Sequence, residues 1–192
     1  MRRAAAILAL TPLPALADCP AAPEIGPAMD ALLAEIRTVP NAQAARAVSG
    51  RMWEEWTRAP DARAQDLLDE GMARLDAFDL RGARVAFDAL IGYCPDYAEG
   101  WNQRAFARFI AGDHADALAD LDRALALRPR HVGALSGRGL TLIALDRIAE
   151  GQADIRAALD LNPWLEERRY LALDPEGGPP DPARIPELEI DL

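Results

Sequence analysis

The stretch Gly112–Pro129, GDHADALADLDRALALRP, has the pattern of an amphipathic helix with a proline at its end. Leu118, Leu121 and Leu125 lie on one face, and Ala117 and Ala124 share it. A helix that places methyl groups where it could bury leucine is a helix crossed closely by another. A leucine at such a crossing pushes the helices apart and costs roughly 1–3 kcal/mol by overpacking. Pro129 ends the helix, since it lacks an amide donor and restricts the residue before it.

The same pattern recurs on both sides. Pro95, Pro129 and Pro163 fall 34 residues apart and close the similar endings ALIGYCP, ALALRP and ALDLNP. Units beginning at Ala64, Ala98 and Val132 bring Gly71, Ala105 and Gly139 to one offset in a first helix. They bring Ala83, Ala117 and Gly151 to one offset in a second. Leu67, Trp101 and Leu135 share another offset, as do Phe87, Leu121 and Ile155 and, again, Leu90, Ala124 and Ala158. One helix pair cannot bury its apolar face alone, so such units must stack.

The period, Trp101, Ala105, the Gly112-Asp113 turn, Ala117, Ala124 and Pro129 resemble the tetratricopeptide repeat (TPR), over Ala64 to Leu165. The resemblance is to exported members of the kind found in Gram-negative bacteria. Against the family pattern, Arg104, Arg138 and Glu70 stand where leucine is common. Arg74 and Arg108 replace a usual aromatic, and Gly151 a usual alanine. The resemblance implies an all-α fold, a right-handed α-solenoid of stacked helix-turn-helix units with a concave face lined by the first helices. The units are 64–97, 98–131 and 132–165.

The flanks complete the expected organisation. Residues 1–17, MRRAAAILALTPLPALA, read as a signal peptide, with Arg2 and Arg3 leading an apolar run and Ala15-Leu16-Ala17 the cleavage pattern. Residues 18–63 hold an N-terminal segment and a degenerate helix pair. Its first helix, Pro27–Val39, places Met29, Leu32, Leu33 and Ile36 on one face; Asn41 caps its second, which runs to about Thr57. This pair is expected to cover the N-terminal end of the stack, and Asp61 to cap the first unit. Residues 166–173 form a short C-terminal cap. Trp164, Leu165 and Leu171 would pack on the last unit, with Glu166, Glu167, Arg168 and Arg169 in water. Residues 174–192 hold five prolines and two glycines, an acidic tail without regular structure.

The charge of −10, with no basic run, excludes a nucleic-acid partner or an anionic membrane surface. Export makes the expected location periplasmic or secreted, with no membrane attachment after signal removal. In such a compartment Cys19 and Cys94 suit a disulfide, against the alternative of two buried thiols.

No set of residues suggests catalysis. His114 falls in a packing slot at the start of a second helix, and His131 in a turn between units. Ser49 and Ser136 are the only serines, and neither has a nucleophile context. Acidic pairs such as Asp113/Asp116 lie on a helix, not in a cation-binding loop. We expect no enzyme activity, no cofactor and no metal. Arg104 and Arg138 should be half buried and need partners. Asp120 and Asp154 share an offset in the second helices, which predicts Arg104–Asp120 and Arg138–Asp154 pairs, or the same residues paired between adjacent units. Alternatively, Arg74, Arg104 and Arg108 would hold a ligand carboxylate.

The resemblance places a ligand in the concave groove. The expected partner-binding residues are Leu68, Met72, Leu75, Asn102, Phe106, Phe109, Leu140 and Ile143. An alternative has the N-terminal pair or the C-terminal tail filling the stripe. The function read from this is a non-catalytic scaffold that binds a peptide or helix of an unidentified envelope protein. The alternative is a structural envelope protein that self-associates, as a weak homo-oligomer.

Overall fold

The computed structural model describes residues 18–173, so the expected signal segment and acidic tail lie outside it. The elements, in chain order, are α1 (Gly26–Glu35), α2 (Ala42–Trp56), α3 (Ala62–Asp76), α4 (Leu80–Tyr93), α5 (Ala98–Ile110), α6 (His114–Leu127), α7 (Val132–Ala144) and α8 (Ile148–Leu161). A 3₁₀ helix, Glu166–Ala172, follows. Among the described residues no helix is long and apolar enough to cross a membrane.

Helices α2, α3 and α4 start at a capping side chain. The side chains of Asn41, Asp61 and Asp79 accept the amides of Ala44, Ala64 and Gly82 at 3.0, 2.8 and 2.9 Å. Three antiparallel pairs, α3–α4, α5–α6 and α7–α8, then stack, with α4 on α5 and α6 on α7. The small residues stand at the crossings. Ala83, Ala105, Ala117 and Ala124 are fully buried. A Cβ on Gly71 would lie 2.2 Å from the Phe87 ring. One on Gly151 would lie 2.5 Å from the Gly139 carbonyl, so in the third unit backbone meets backbone. The turns within the pairs repeat as well. Phe78, Gly112 and Asp146 share one offset and all take positive φ, at 57°, 82° and 61°.

The N-terminal pair does not continue this stack. α1 and α2 pack on each other, and α2 does not pair with α3 as one unit pairs with the next. Instead the hairpin lies along the edge formed by the three turns that end the units. Tyr97 Oη donates to the Trp56 carbonyl at 2.8 Å, and the His131 ring stacks on Trp56 at 4.4 Å. Trp164 Nε1 donates to the Ile36 carbonyl at 3.0 Å. Val132, Leu161 and Leu165 join the core of Met29, Leu33, Ile36, Val48, Met52 and Trp56. The hairpin therefore braces the length of the array and does not close its end. The physical reason is that the inter-unit turns offer large apolar partners, which a free end face does not need to match.

The C-terminal cap forms, but Tyr170, at 4% exposure, is its anchor, and Leu171 is only half buried. Gln152 Nε2 donates to the Tyr170 and Leu173 carbonyls, at 3.1 and 2.9 Å, and holds the segment on α8. The Cα atoms of Cys19 and Cys94 stand 5.2 Å apart, inside the span of a disulfide.

Candidate functional site

The first helices α3, α5 and α7 present four rows of residues at 34-residue spacing. Gln65, Glu99 and Gly133 form the row nearest the amino ends, followed by Leu68, Asn102 and Ser136. Met72, Phe106 and Leu140 come next, then Leu75, Phe109 and Ile143. The rows differ in access. Leu68, Asn102 and Ser136 are all buried, whereas Met72 and Leu140 are half buried and Phe106 is 39% exposed.

Burial removes three of the expected partner-binding residues. Leu68 has no exposed surface and Leu75 has 5%; both belong to the core built around Phe87 and Leu90. Asn102 donates to Glu99 Oε1 at 3.1 Å and is spent inside the fold. Phe109 is half buried, its ring tilted against His114 at 5.1 Å. The face that remains accessible is Met72, Phe106, Phe109, Leu140 and Ile143.

The buried amino-end rows centre on a polar hub. Glu99, 1% exposed, receives Gln103 Nε2 at 2.6 Å and His131 Nε2 at 2.7 Å, besides Asn102. His131 Nδ1 accepts the Ala134 amide at 3.2 Å, so Nε2 carries the proton and donates it to the carboxylate. His131 thus caps α7, orients Glu99 and stacks under Trp56 at once. Sequence reasoning placed His131 in a turn and missed this role. The available signal was the shared offset of Tyr97, His131 and Leu165, three large residues in turns where polar ones would suffice. Beside the hub, burial pushes the Tyr97 phenol well above its ordinary pKa.

Arginines of the first helices form a ladder with aspartates of the second helices. Arg104 meets Asp120 of its own unit through Nε at 2.9 Å and Nη2 at 2.6 Å, and Asp88 of the preceding unit at 2.6 Å. Arg138 repeats this with Asp154 at 2.6 and 2.9 Å and with Asp122 at 2.9 Å. The within-unit pairs are the expected ones; the contact with the preceding unit is made to Asp88 and Asp122 and not by re-pairing Asp120 and Asp154. The Asp154 hydrogen bonds hold the Arg138 guanidinium above the ordinary arginine pKa. In the first unit Glu70 replaces the arginine and Ala86 the aspartate, so both members of the pair change at once. Arg74 is held by Glu70 and Asp79, and Arg108 by Asp120 at 2.5 Å. The three arginines considered as a clamp for a ligand carboxylate are therefore engaged with the chain's own acids.

Stacked helix pairs, small crossings and an accessible apolar stripe define an α-helical repeat protein. The chain belongs to the tetratricopeptide repeat family. The family model described as Tetratricopeptide repeat matches residues 98–131. Tetratricopeptide repeat protein 36 of Bos taurus is 32% identical over 127 residues, covering 64% of this chain and 67% of that protein. A TPR repeat-containing protein of Rhizobium etli is 28% identical over 114 residues, covering 59% of this chain; the match spans 56% of that relative's length. Among solved structures, the first TPR domain of Spaghetti (RPAP3) bound to the HSP90 peptide SRMEEVD is 26% identical. It has a TM-score of 0.54 and covers 56% of this chain and 86% of that one.

Proposed function

We propose that this protein is a non-catalytic binding module that takes an apolar peptide or helix of an envelope protein on the stripe of Met72, Phe106, Phe109, Leu140 and Ile143. The observation that carries this is Phe106, a large aromatic 39% exposed at the centre of the stripe, between the half-buried Met72 and Leu140. Contiguous exposed apolar side chains mark interaction surfaces. The solved RPAP3 domain, a structural neighbour, holds a peptide. That peptide, SRMEEVD, is acidic, and here Arg74, Arg104 and Arg108 are already paired while Asp69 and Asp76 stand exposed on α3 beside Met72. An apolar segment with neutral or basic flanks suits the face better than an acidic one. Export through residues 1–17 and a Cys19–Cys94 disulfide belong to the same reading, supported by the signal pattern and by the 5.2 Å Cα separation.

The test is affinity capture from a periplasmic extract with the wild-type chain and with Phe106→Ser. Phe106 is exposed, so the variant should keep its helical signal and lose the captured partner. Equal capture by both proteins would remove the stripe from the interaction. A dimer that grows with concentration in light scattering, and that Phe106→Ser disperses, would favour self-association.

A further inference from the structure

The array has two junctions between units, built on the same offsets but filled differently. At the first, Asp120 receives two guanidinium groups: Arg104 through two nitrogens, and Arg108 Nη1 at 2.5 Å. Arg108 Nη1 also reaches the Asp116 carbonyl at 3.3 Å. At the same junction Arg84, on α4, pairs with Asp113 at the start of α6 at 2.7 Å. One unit later, Leu142 takes the place of Arg108 and Leu118 the place of Arg84. Asp154, the counterpart of Asp120, keeps only Arg138. Its side chain is 14% exposed, against 3% for Asp120. A cavity of about 360 Å³ opens there, lined by Leu118, Leu142, Asp154, Glu150, Arg138 and Arg147 among others.

We propose that this cavity receives the arginine side chain of a partner polypeptide, bound as Arg108 is bound within the chain. The acceptors are in place. Asp154 Oδ2 corresponds to the oxygen that takes Arg108, and the Glu150 carbonyl corresponds to that of Asp116. Leu118 and Leu142 give the arginine methylenes an apolar floor, as long charged side chains require. The rim carries three acids, Asp122, Glu150 and Asp154, against two cations, Arg138 and Arg147. Both cations are committed: Arg138 to Asp122 and Asp154, and Arg147 to Glu150 at 2.7 Å. Arg108 meets both acceptors through one nitrogen, Nη1, so the choice of arginine rests on this internal precedent and on the length of its apolar stem, not on a two-nitrogen fork. This site is separate from the apolar stripe on α3, α5 and α7, and either can fail without the other.

The experiment follows the Leu118 and Ala153 methyl signals of the full chain by NMR during titration with Nα-acetyl-arginine amide. The expected result is a saturable shift in the millimolar range. The citrulline analogue, of the same shape but uncharged, should bind at least tenfold more weakly. Leu142→Arg should fill the cavity from within, abolish the shift and leave the melting temperature equal or higher. If that variant fails to fold, Ala153→Leu, at an exposed helical position, should obstruct the mouth and weaken binding by a similar factor. No saturable shift in the wild type would overturn the proposal. So would equal binding of citrulline, or undiminished binding in the folded variant.

Discussion

The array of α3–α8 and the hairpin of α1–α2 are both helix pairs, yet they are held in opposite ways. In the array the helix crossings and the Arg–Asp bridges have copies. The small crossings recur every 34 residues, and Arg104 and Arg138 make the same three-way bridge between one second helix and the next. In the hairpin each contact occurs once: a stack on His131, a hydroxyl on the Trp56 carbonyl, an indole on the Ile36 carbonyl, Arg130 on Asp30 at 2.6 Å. A periodic interface spreads its load and fails cooperatively, because each unit is stable only through its neighbours. A brace of single contacts can open while the array stands.

The largest expected effect breaks the array. Asp120 is 3% exposed and holds both Arg104 and Arg108. Asp120→Asn removes the charge and leaves two mostly buried guanidinium groups with too little counter-charge. Breaking a buried pair in this way costs about 3–5 kcal/mol. Chemical denaturation should show that loss in one transition, with helical signal from all units disappearing together. A loss below about 1 kcal/mol, the scale of an exposed pair, would mean that the ladder is an ornament of the surface.

A somewhat smaller effect, confined to the hairpin, is expected from the cysteines. Cys94 ends α4 in the core of the first unit, and Cys19 leads into α1. The proposed bridge between them would tie the start of the brace to the array across 75 residues of sequence. Replacing both cysteines by alanine should cost about 2–4 kcal/mol. Hydrogen exchange should show the loss in α1 and α2, with α5–α8 still protected. Uniform deprotection of every helix would erase the distinction between array and brace.

The same difference explains what the sequence made legible. Prolines at Pro95, Pro129 and Pro163 and small residues at fixed offsets state the array three times over, so the helix pairs, their order and the within-unit Arg–Asp partners could be read, though not Asp88 and Asp122. The hairpin's two helices were legible from the spacing of Met29, Leu32, Leu33 and Ile36 and from the Asn41 cap. Where it docks was not, because the shared offset of Tyr97, His131 and Leu165 marks an edge of the array, but no period names Trp56 or Ile36 as what meets it. The site suffered for that reason. Leu68 and Leu75 have the right offset for the stripe, but offset says only which way a side chain points, and what covers it depends on the rest of the chain. Asn102 was lost to Glu99, a hydrogen bond that the repeat pattern does not encode, since the other units carry Gln65 and Gly133 in place of the glutamate.

The smallest expected effect tests how far periodicity reaches into the backbone. The turn within each pair needs one residue at positive φ. The second unit supplies Gly112, for which that conformation is free of strain, and the third Asp146, of a type that tolerates it. The first unit uses Phe78 at φ 57°, with its ring 63% exposed. A bulky residue there is held by the fold against its own preference, because the repeat geometry dictates the turn whatever the side chain. Little apolar surface is buried in return. Phe78→Gly should therefore stabilise the chain, by about 1 kcal/mol once the greater freedom of glycine in the unfolded state is counted against the relief of strain. A small rise in the denaturation midpoint with an unchanged slope is the expected result. A fall would mean that the Phe78 ring makes a contact worth more than its strain. Phe78 would then belong to an interaction surface at the first turn, and the array's regularity would stop there.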